Sequence, residues 1–201
     1  MAKKSKIGLI ILAAGASVRM GKPKQSLEFN GKTLLQRAVQ TAHESECRPI
    51  VVVLGAQADI LKNEIKNFDV QIVENTNWKK GMSSSIKTAL EKNLEINSQI
   101  NGVLIMVCDQ PFVSVELINQ IVEMYRKTDS LIIASKYGET LGVPALFGRR
   151  VFPQLLKLEN ESGAKKIIRQ FQNETAFVSF EEGNFDVDTP EDYLKLINGE
   201  N

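Results

Sequence analysis

Two groups of charged side chains follow apolar segments of this chain, and the first group is cationic. Arg19, Lys22 and Lys24 come shortly after the small residues 13–17. Small residues directly after a buried strand leave consecutive backbone N–H groups open to an anion. Gly15 allows the backbone to approach such a ligand closely because it has no Cβ, and the cations add positive charge for phosphate oxygens. This pattern predicts a nucleotide-phosphate loop.

Three other interpretations of this segment compete with a phosphate loop. A signal peptide also combines basic residues, a short apolar run and small residues, but the later segments need this run as a strand partner. A Walker P-loop does not fit, because five residues separate Gly15 from Gly21 and Pro23 stands where Ser or Thr would hold magnesium. An ordinary buried strand and turn with solvated charges stays open on these residues alone.

The second group is acidic. Asp109 follows the apolar run 102–107 and precedes Pro111. A carboxylate there could hold Mg²⁺ beside nucleotide phosphates, because magnesium takes one or two protein carboxylates together with phosphate oxygens. The alternative is an aspartate that caps a turn. Asp186 and Asp188 could supply a second metal ligand, or they could mark the acidic entrance of the last helix.

Weaker signals lie between these two groups. Gly81, Ser84 and Ser85 could offer hydrogen bonds to a base or a phosphate, although serine-rich helix starts are common. Trp78 and the two lysines after it are too few for a convincing nucleic-acid patch. Met82 is expected to pack in the core or in a loop.

Composition limits the classes of function. The chain has 201 residues, of which 43% are hydrophobic and 24% are charged, so a single domain spanning residues 1–201 with a real core is expected. Lys and Arg number 25 against 24 Asp and Glu, and this balance favours neither nucleic acid nor a membrane surface as a partner. His43 is the only histidine, which argues against histidine-based metal sites and Ser-His-Asp catalysis.

Cysteine use and apolar run length bear on location. Cys47 and Cys108 are too few for a disulfide framework, so a reducing cytoplasmic compartment is the simpler interpretation. No apolar run approaches the roughly 20 residues that span a bilayer. We therefore expect a cytoplasmic protein without a membrane partner.

The elements that must position the charged residues alternate along the chain. After the first apolar run, the patterns predict strands at 50–54, 70–74, 102–107, 131–134, 143–147 and 175–180, and helices at 33–45, 58–68, 86–94, 115–125, 150–156, 164–171 and from Thr189 onward. Apolar strands that alternate with helices imply a parallel sheet covered on both faces. Ligands bind at the carboxyl ends of such strands, where the turns after Leu12 and Val107 would lie.

Seven motifs then fall in order over nearly the whole chain. They are LAAGASVRMG at 12–21, PKQ at 23–25, NGK at 30–32, GMSSS at 81–85, CDQP at 108–111, GAK at 163–165 and DVDTPED at 186–192. As a set they resemble nucleotidyltransferases related to molybdenum cofactor cytidylyltransferase and guanylyltransferase. The resemblance implies a Rossmann-like three-layer α/β sandwich of the nucleotide-diphospho-sugar transferase type, with a mostly parallel sheet of about seven strands.

The resemblance also implies roles for individual residues. Arg19 and Lys24 would neutralise the triphosphate and, with Asp109, would be the catalytic residues. Asp109 and Asp188 would hold Mg²⁺, with Asp186 as the alternative second ligand. The nucleotide-binding residues would be Leu12, Ala13, Ala14, Gly15, Arg19, Lys24, Gly81, Ser84 and Ser85.

The resemblance is more specific for the nucleotide than for the acceptor. Ala14 and Gln110 match the cytidylyltransferases of the family, whereas the guanylyltransferases tend to carry Gly and Thr there, so CTP is favoured over GTP. Val143 stands where many cofactor-specific members have His, and Lys165 replaces the usual Arg. The motif at 23–25 also resembles methylerythritol-phosphate cytidylyltransferase, although the arginine which that enzyme carries near its metal-loop aspartate is absent.

The expected activity is transfer of CMP from CTP to the phosphate of molybdopterin, with Mg²⁺ as cofactor and pyrophosphate as the second product. A molybdoenzyme would be the client that receives the finished cofactor. Three alternatives stay open: a guanylyltransferase that uses GTP, a sugar-phosphate or alditol-phosphate cytidylyltransferase, and a non-catalytic protein that carries the cofactor.

Overall fold

A computed structural model describes residues 5–17, 20–159 and 163–199. The strands are β1 (Ile7–Ala13), β2 (Glu28–Phe29), β3 (Lys32–Thr33), β4 (Ile50–Leu54), β5 (Gln71–Glu74), β6 (Gly102–Val107), β7 (Ile132–Tyr137), β8 (Thr140–Gly148) and β9 (Thr175–Ser179). The helices are α1 (Leu34–Glu44), α2 (Ala58–Ile65), α3 (Met82–Ile96), α4 (Val115–Lys127), α5 (Phe152–Leu156), α6 (Ala164–Gln170) and α7 (Pro190–Asn198).

Seven strands form one sheet in the order β5-β4-β1-β6-β8-β7-β9. All neighbouring pairs are parallel except those that involve β8, which runs antiparallel to both β6 and β7. Strands β2 and β3 form a separate small hairpin. The prediction of an α/β fold with a mostly parallel sheet of about seven strands is confirmed.

The strand register brings three loops to one edge of the sheet. Leu12 of β1 lies opposite Val53 of β4 and Val107 of β6. The carboxyl ends of these three parallel strands therefore lie side by side, and the chain leaves each of them at the same edge. This is the edge at which ligands bind in open α/β sheets.

The sheet separates two apolar cores. Leu9, Ile11 and Ala13 of β1 point into a core with residues of α1, α2 and α4, whereas Ile10 and Leu12 point into a core with residues of α3, α5 and α6. This alternation is the period of two that a strand buried on both faces requires. A smaller third cluster lies under α7 and the β2–β3 hairpin. The arrangement is a three-layer sandwich.

Two elements differ from the sequence-based expectation. The strand predicted at 143–147 extends over nine residues and is antiparallel. Helix α3 begins at Met82, four residues before the predicted start, so the serines of the GMSSS motif lie inside its first turns. Gly81, which precedes the helix, has φ 91°, a backbone conformation that glycine adopts without steric cost.

Within the described parts of the chain, no helix is long and apolar enough to cross a membrane. Cys47 and Cys108 are free, buried thiols. Burial raises the pKa of Cys47 to about 12, and burial followed by the nearby Asp109 carboxylate raises the pKa of Cys108 to about 12. Both side chains therefore stay protonated at neutral pH.

Candidate functional site

The loop that follows β1 is held in shape by one buried side chain. Gln25 is 1% exposed, and its Nε2 donates to the carbonyl oxygens of Ala13 (3.0 Å) and Gly15 (2.9 Å). Its Oε1 accepts from the Ser17 hydroxyl at 3.1 Å, while the backbone N–H of Lys24 donates to the same hydroxyl oxygen at 3.0 Å. These hydrogen bonds therefore hold the loop against the short 3₁₀ turn Lys24–Ser26.

Gly15 faces open space. A Cβ built at this position would have no neighbouring protein atom within 4 Å. The absence of a side chain here is therefore not required by packing in the described parts of the chain. It leaves the backbone of the loop accessible to a ligand, in agreement with the role that the sequence predicts for this glycine.

A cavity of about 400 Å³ opens above this loop. Its lining comes from the loop after β1 and the adjacent 3₁₀ turn, from the start of α3, and from the end of β6 with the turn that follows: residues 12–16, Lys24, Gln25, Trp78, Lys79, Gly81, Met82, Ser85, Val107, Cys108 and Asp109. We call it the first cavity. Seven of the nine residues predicted to bind nucleotide line it: Leu12, Ala13, Ala14, Gly15, Lys24, Gly81 and Ser85.

The two remaining predicted residues are placed differently. Ser84 lines a separate shallow groove with Asn77 and Lys80, and its Oγ lies 2.8 Å from the carbonyl oxygen of Gly81. The structure thus turns Ser84 away from the first cavity. Arg19 lies outside the described residues, so its predicted role stays a prediction.

A second cavity of about 420 Å³ adjoins the first. The two cavities share five lining residues: Leu12, Lys24, Met82, Val107 and Asp109. The rest of the second cavity is formed by Gln110, Tyr137, Val143, Gly163, Ala164, Lys165, Asp186 and Asp188. Val143 and Lys165, which the sequence resemblance marked as departures on the acceptor side, both line this cavity.

A lysine and two aspartates meet where the cavities adjoin. Lys24 Nζ donates to Asp109 Oδ2 and lies 2.7 Å from Asp188 Oδ1. The side chains of Lys24 and Asp109 are each 16% exposed and that of Asp188 is 37% exposed. Burial alone would lower the pKa of Lys24, but the attraction of Asp109 and Asp188 outweighs it and raises that pKa above its ordinary value. The ammonium therefore stays charged.

Asp186 adds a third carboxylate to this region. Burial, and then the repulsion of Asp109 and Asp188, raises the pKa of Asp186 above its ordinary value. Lys165 opposes that shift, and its Nζ lies 5.6 Å from the centre of the Tyr137 ring. Negative charge is thus concentrated where the cavities adjoin, in a group that we call the rim: Asp109, Asp186 and Asp188. Lys24 contacts two of these carboxylates, and Lys165 acts on the third.

The donor set suits a hard divalent cation. Asp109 Oδ1 is buried without a hydrogen-bond partner among the described residues, and carboxylate oxygens are the ligands that Mg²⁺ and Mn²⁺ prefer. In the described parts of the chain, no three His, Cys, Asp or Glu side chains form a ready-made cage for a metal. An ion held by one or two carboxylates would take its other ligands from phosphates and water.

Four residues of the first cavity were missed or undervalued from the sequence. Trp78 and Lys79 line it, although the sequence suggested at most a thin nucleic-acid patch there. Met82 is 43% exposed and lines both cavities, so the expectation of simple packing was wrong. Gln25 was noted only as part of the PKQ motif, and the sequence did not predict its contacts with the loop after β1.

Comparison with known proteins agrees with this geometry. Residues 9–176 match the model of the MobA-like NTP transferase domain. Over 201 aligned residues, 29% are identical to nicotine blue oxidoreductase from Paenarthrobacter nicotinovorans, covering 94% of this chain and 95% of the relative. The molybdenum cofactor cytidylyltransferase of Escherichia coli is 24% identical, with 94% of this chain and 95% of that protein covered.

Among solved structures, the Mycobacterium tuberculosis protein Rv0371c in complex with manganese is similar throughout. It superposes with a TM-score of 0.78 at 26% identity, and the alignment covers 96% of this chain and 99% of that one. The family model spans most of the chain and includes Lys24 and Asp109, whereas Asp186 and Asp188 lie beyond its last matched residue. The chain therefore belongs to the MobA-like NTP transferase family and is a nucleotidyltransferase.

Proposed function

We propose that this protein transfers CMP from CTP to the terminal phosphate of molybdopterin and releases pyrophosphate. The observation that carries this proposal is the pair of adjoining cavities with Lys24 and Asp109 at their junction. A group transfer needs two substrates whose reacting atoms meet at one point. The shared lining offers that point, with charged groups beside it.

The nucleotide is assigned to the first cavity. Backbone around Gly15 would approach the phosphates, with Lys24 beside them, and Ser85 would lie near the base. Ser85 is preferred to Ser84 because Ser85 is the one of the two that lines the cavity. Arg19 is proposed as a second cation for the triphosphate, as the sequence predicts.

The preference for CTP now rests mainly on Ala14. The sequence argument also used Gln110, but Gln110 lines the second cavity and its Nε2 donates to the carbonyl oxygen of Gly183 at 3.0 Å. Gln110 is thus on the acceptor side in this assignment. GTP stays the alternative nucleotide.

The reaction follows from these placements. An oxygen of the acceptor phosphate attacks the α-phosphorus of CTP, the bond from that phosphorus to the β-phosphate oxygen breaks, and pyrophosphate leaves. A phosphate monoester dianion is already a nucleophile, so no strong base is required of the protein. Lys24 would stabilise charge on the leaving pyrophosphate, and catalysis would consist of positioning and charge neutralisation.

Asp109 and Asp188 would hold Mg²⁺, with Asp186, which lines the same cavity, as the alternative second ligand. When bound, the ion would neutralise phosphate oxygens and orient them. The manganese in the Mycobacterium tuberculosis relative supports a divalent cation in this fold. Magnesium itself is our proposal.

The acceptor is assigned from the second cavity and from the relatives. Leu12, Val107, Val143 and Tyr137 offer apolar and aromatic surface, and Lys165 adds a cation. A flat ring system that carries a phosphate, such as molybdopterin, suits this mixture. The Escherichia coli cytidylyltransferase supports the assignment, whereas the name of the Paenarthrobacter relative indicates a different reaction.

The test is an assay of pyrophosphate release from CTP and, in parallel, from GTP, with purified molybdopterin or molybdenum cofactor as the acceptor. We expect release that needs the acceptor and is faster with CTP. Release with a sugar phosphate or alditol phosphate alone would contradict the acceptor assignment. Binding of CTP and cofactor without any release would favour a carrier protein.

A further inference from the structure

The contact between Lys24 and the two aspartates has a consequence for metal binding. Lys24 Nζ donates to one oxygen of Asp109 and one oxygen of Asp188, the residues proposed above to hold the divalent ion. Lone pairs that accept a hydrogen bond from an ammonium are not free to coordinate a metal. Asp109 Oδ1 has no such partner among the described residues, but an ion held by both aspartates must lie about 2.1 Å from an oxygen of each. That places it within a few ångströms of the ammonium, where the two positive charges repel each other. The ammonium and a divalent ion therefore compete for the same pair of carboxylates.

We propose that Lys24 is an exchangeable internal counter-ion, which competes with the divalent ion for Asp109 and Asp188 and moves to the nucleotide phosphates when the ion binds. This inference rests on the proposed function, because it takes the two aspartates as metal ligands. It adds an order of preference: the metal binds weakly alone and tightly together with the triphosphate.

The side chain is suited to such an exchange. A lysine ammonium is a compact charge on a flexible four-carbon stem, unlike the planar fork of arginine. The backbone of Lys24 is fixed by its bond to Ser17 and by the 3₁₀ turn Lys24–Ser26. The stem also lines both cavities, so its end can turn towards a phosphate without a change in the backbone.

The charges at the site explain why the ion should displace Lys24 only when a nucleotide is also bound. Asp109, Asp186 and Asp188 line the same cavity, so their negative charges repel one another and the rim needs a cation at all times. A divalent ion that arrives alone must displace Lys24 and leave its ammonium without a comparable partner. A nucleotide supplies that partner, so metal and nucleotide should each raise the affinity for the other by the same factor.

The experiment measures Mn²⁺ binding to the full chain without nucleotide, by calorimetry and by the electron paramagnetic resonance signal of free Mn²⁺. Lys24→Met keeps the length of the stem and removes the competing charge. We expect it to bind Mn²⁺ roughly tenfold more tightly than the wild type, which corresponds to about 1.4 kcal/mol. Lys24→Arg, which keeps a competing cation, should bind no more tightly than the wild type.

Lys165→Met is the matched control, because it tests whether the loss of any nearby positive charge is enough to tighten Mn²⁺ binding. Lys165 lines the same cavity and affects Asp186, but its described contact is with the Tyr137 ring. Loss of its charge should tighten Mn²⁺ binding by less than about threefold, because Lys165 is exposed and water screens its charge from the aspartates. An equal gain in Lys24→Met and Lys165→Met would overturn the exchange and leave only general electrostatics.

Lys24→Met removes the cation beside Asp109 and Asp188, which should make the variant less stable than the wild type. Thermal unfolding therefore serves as a second measurement. We expect the thermal midpoint of the variant to fall, and Mn²⁺ to raise that midpoint by more than it raises the midpoint of the wild type. In the wild type, a non-hydrolysable CTP analogue should increase Mn²⁺ affinity, and this increase should shrink in Lys24→Met.

The outcomes separate the two proposals. Unchanged or weaker Mn²⁺ binding in Lys24→Met, beside a wild type that binds Mn²⁺ with the analogue, overturns the exchange and leaves the proposed function standing. Failure of the wild type to bind Mn²⁺ even with the analogue contradicts the metal site on which both proposals depend.

Discussion

The two cavities share five lining residues, but their other lining residues differ in size and type. The first contains the consecutive small residues 13–16, whose backbone Gln25 holds in place, although Trp78 and Lys79 also line it. The second is formed by larger side chains, among them Tyr137, Val143 and Lys165. Backbone N–H groups are the same for every residue except proline, whereas the chemistry of a site made of side chains changes when a side chain is replaced.

This difference fits the proposal that the first cavity binds the nucleotide and the second binds the acceptor. A nucleotide triphosphate offers the same phosphate groups to every enzyme that uses it, and backbone N–H groups suffice to bind them. Acceptors differ from enzyme to enzyme, and side chains provide the variation. Val143 and Lys165, the positions at which the sequence resemblance is incomplete, both line the second cavity.

The largest effect is expected at the junction, which serves both cavities. Asp109→Asn keeps the shape of the side chain but removes its charge, so we expect pyrophosphate release to fall by roughly 10²–10³-fold or more, with an unchanged far-ultraviolet circular dichroism spectrum. Asp59→Asn, at an exposed position of α2, is the control and should retain full activity. Activity of Asp109→Asn in magnesium close to that of the wild type would show the metal assignment to be wrong.

The next largest effect is expected below the first cavity. Gln25→Met preserves the apolar bulk of the side chain but removes the bonds to Ala13, Gly15 and Ser17. Carbonyl groups that lose a buried donor cost about 1–3 kcal/mol, so urea unfolding should show a loss of that size. The KM for CTP should rise while the KM for the acceptor changes little; a larger rise in the acceptor KM would contradict the division between the cavities.

A smaller effect is expected inside the first cavity. Gly15→Ala adds a Cβ that meets no protein atom within 4 Å, so the free energy of unfolding should stay within about 0.5 kcal/mol of the wild type. The methyl group would stand between backbone and ligand, and we expect the KM for CTP to rise roughly tenfold, or about 1.4 kcal/mol. An unchanged KM for CTP would place the nucleotide elsewhere.

The smallest effect is expected in the second cavity. Lys165→Met removes a cation that would attract the acceptor phosphate, and we expect a roughly fivefold rise in the acceptor KM, equivalent to about 1 kcal/mol. The KM for CTP should be unaffected. Lys166→Met, the exposed neighbour on α6 that is not part of the cavity lining, is the matched control. A rise in the KM for CTP instead would reverse the assignment of the two cavities.

The fold and the charged rim could be predicted from the sequence because they depend on local patterns. The apolar runs that become β1 and β6 end in small or acidic residues, and parallel strands bring such ends together. Asp109, Lys24 and Asp188 followed from that reasoning and from the family resemblance, and the structure brings them into contact.

The rest depended on details that the pattern does not contain. Whether Ser84 or Ser85 faces the cavity is decided by the helix start, since successive helical residues point about 100° apart. The predicted start lay four residues too late. The direction of β8 could not be predicted either, because an apolar run has the same composition in a parallel and an antiparallel strand.

Met82 and Gln25 show a further limit. The exposure of Met82 depends on how closely α6 approaches the start of α3, and a Cβ at Gly163 would lie 2.8 Å from the Met82 sulfur. The role of Gln25 depends on carbonyl groups ten and twelve residues earlier in the chain. Such contacts are set by tertiary structure, which residue type and spacing do not specify.

The most direct measurement is a crystal structure of the protein with Mn²⁺ and a non-hydrolysable CTP analogue, with manganese located by its anomalous signal. The account predicts manganese beside Asp109 and Asp188, the cytosine and ribose in the first cavity, and an empty second cavity next to the α-phosphate. A nucleotide seated in the second cavity, or manganese away from Asp109, would contradict it.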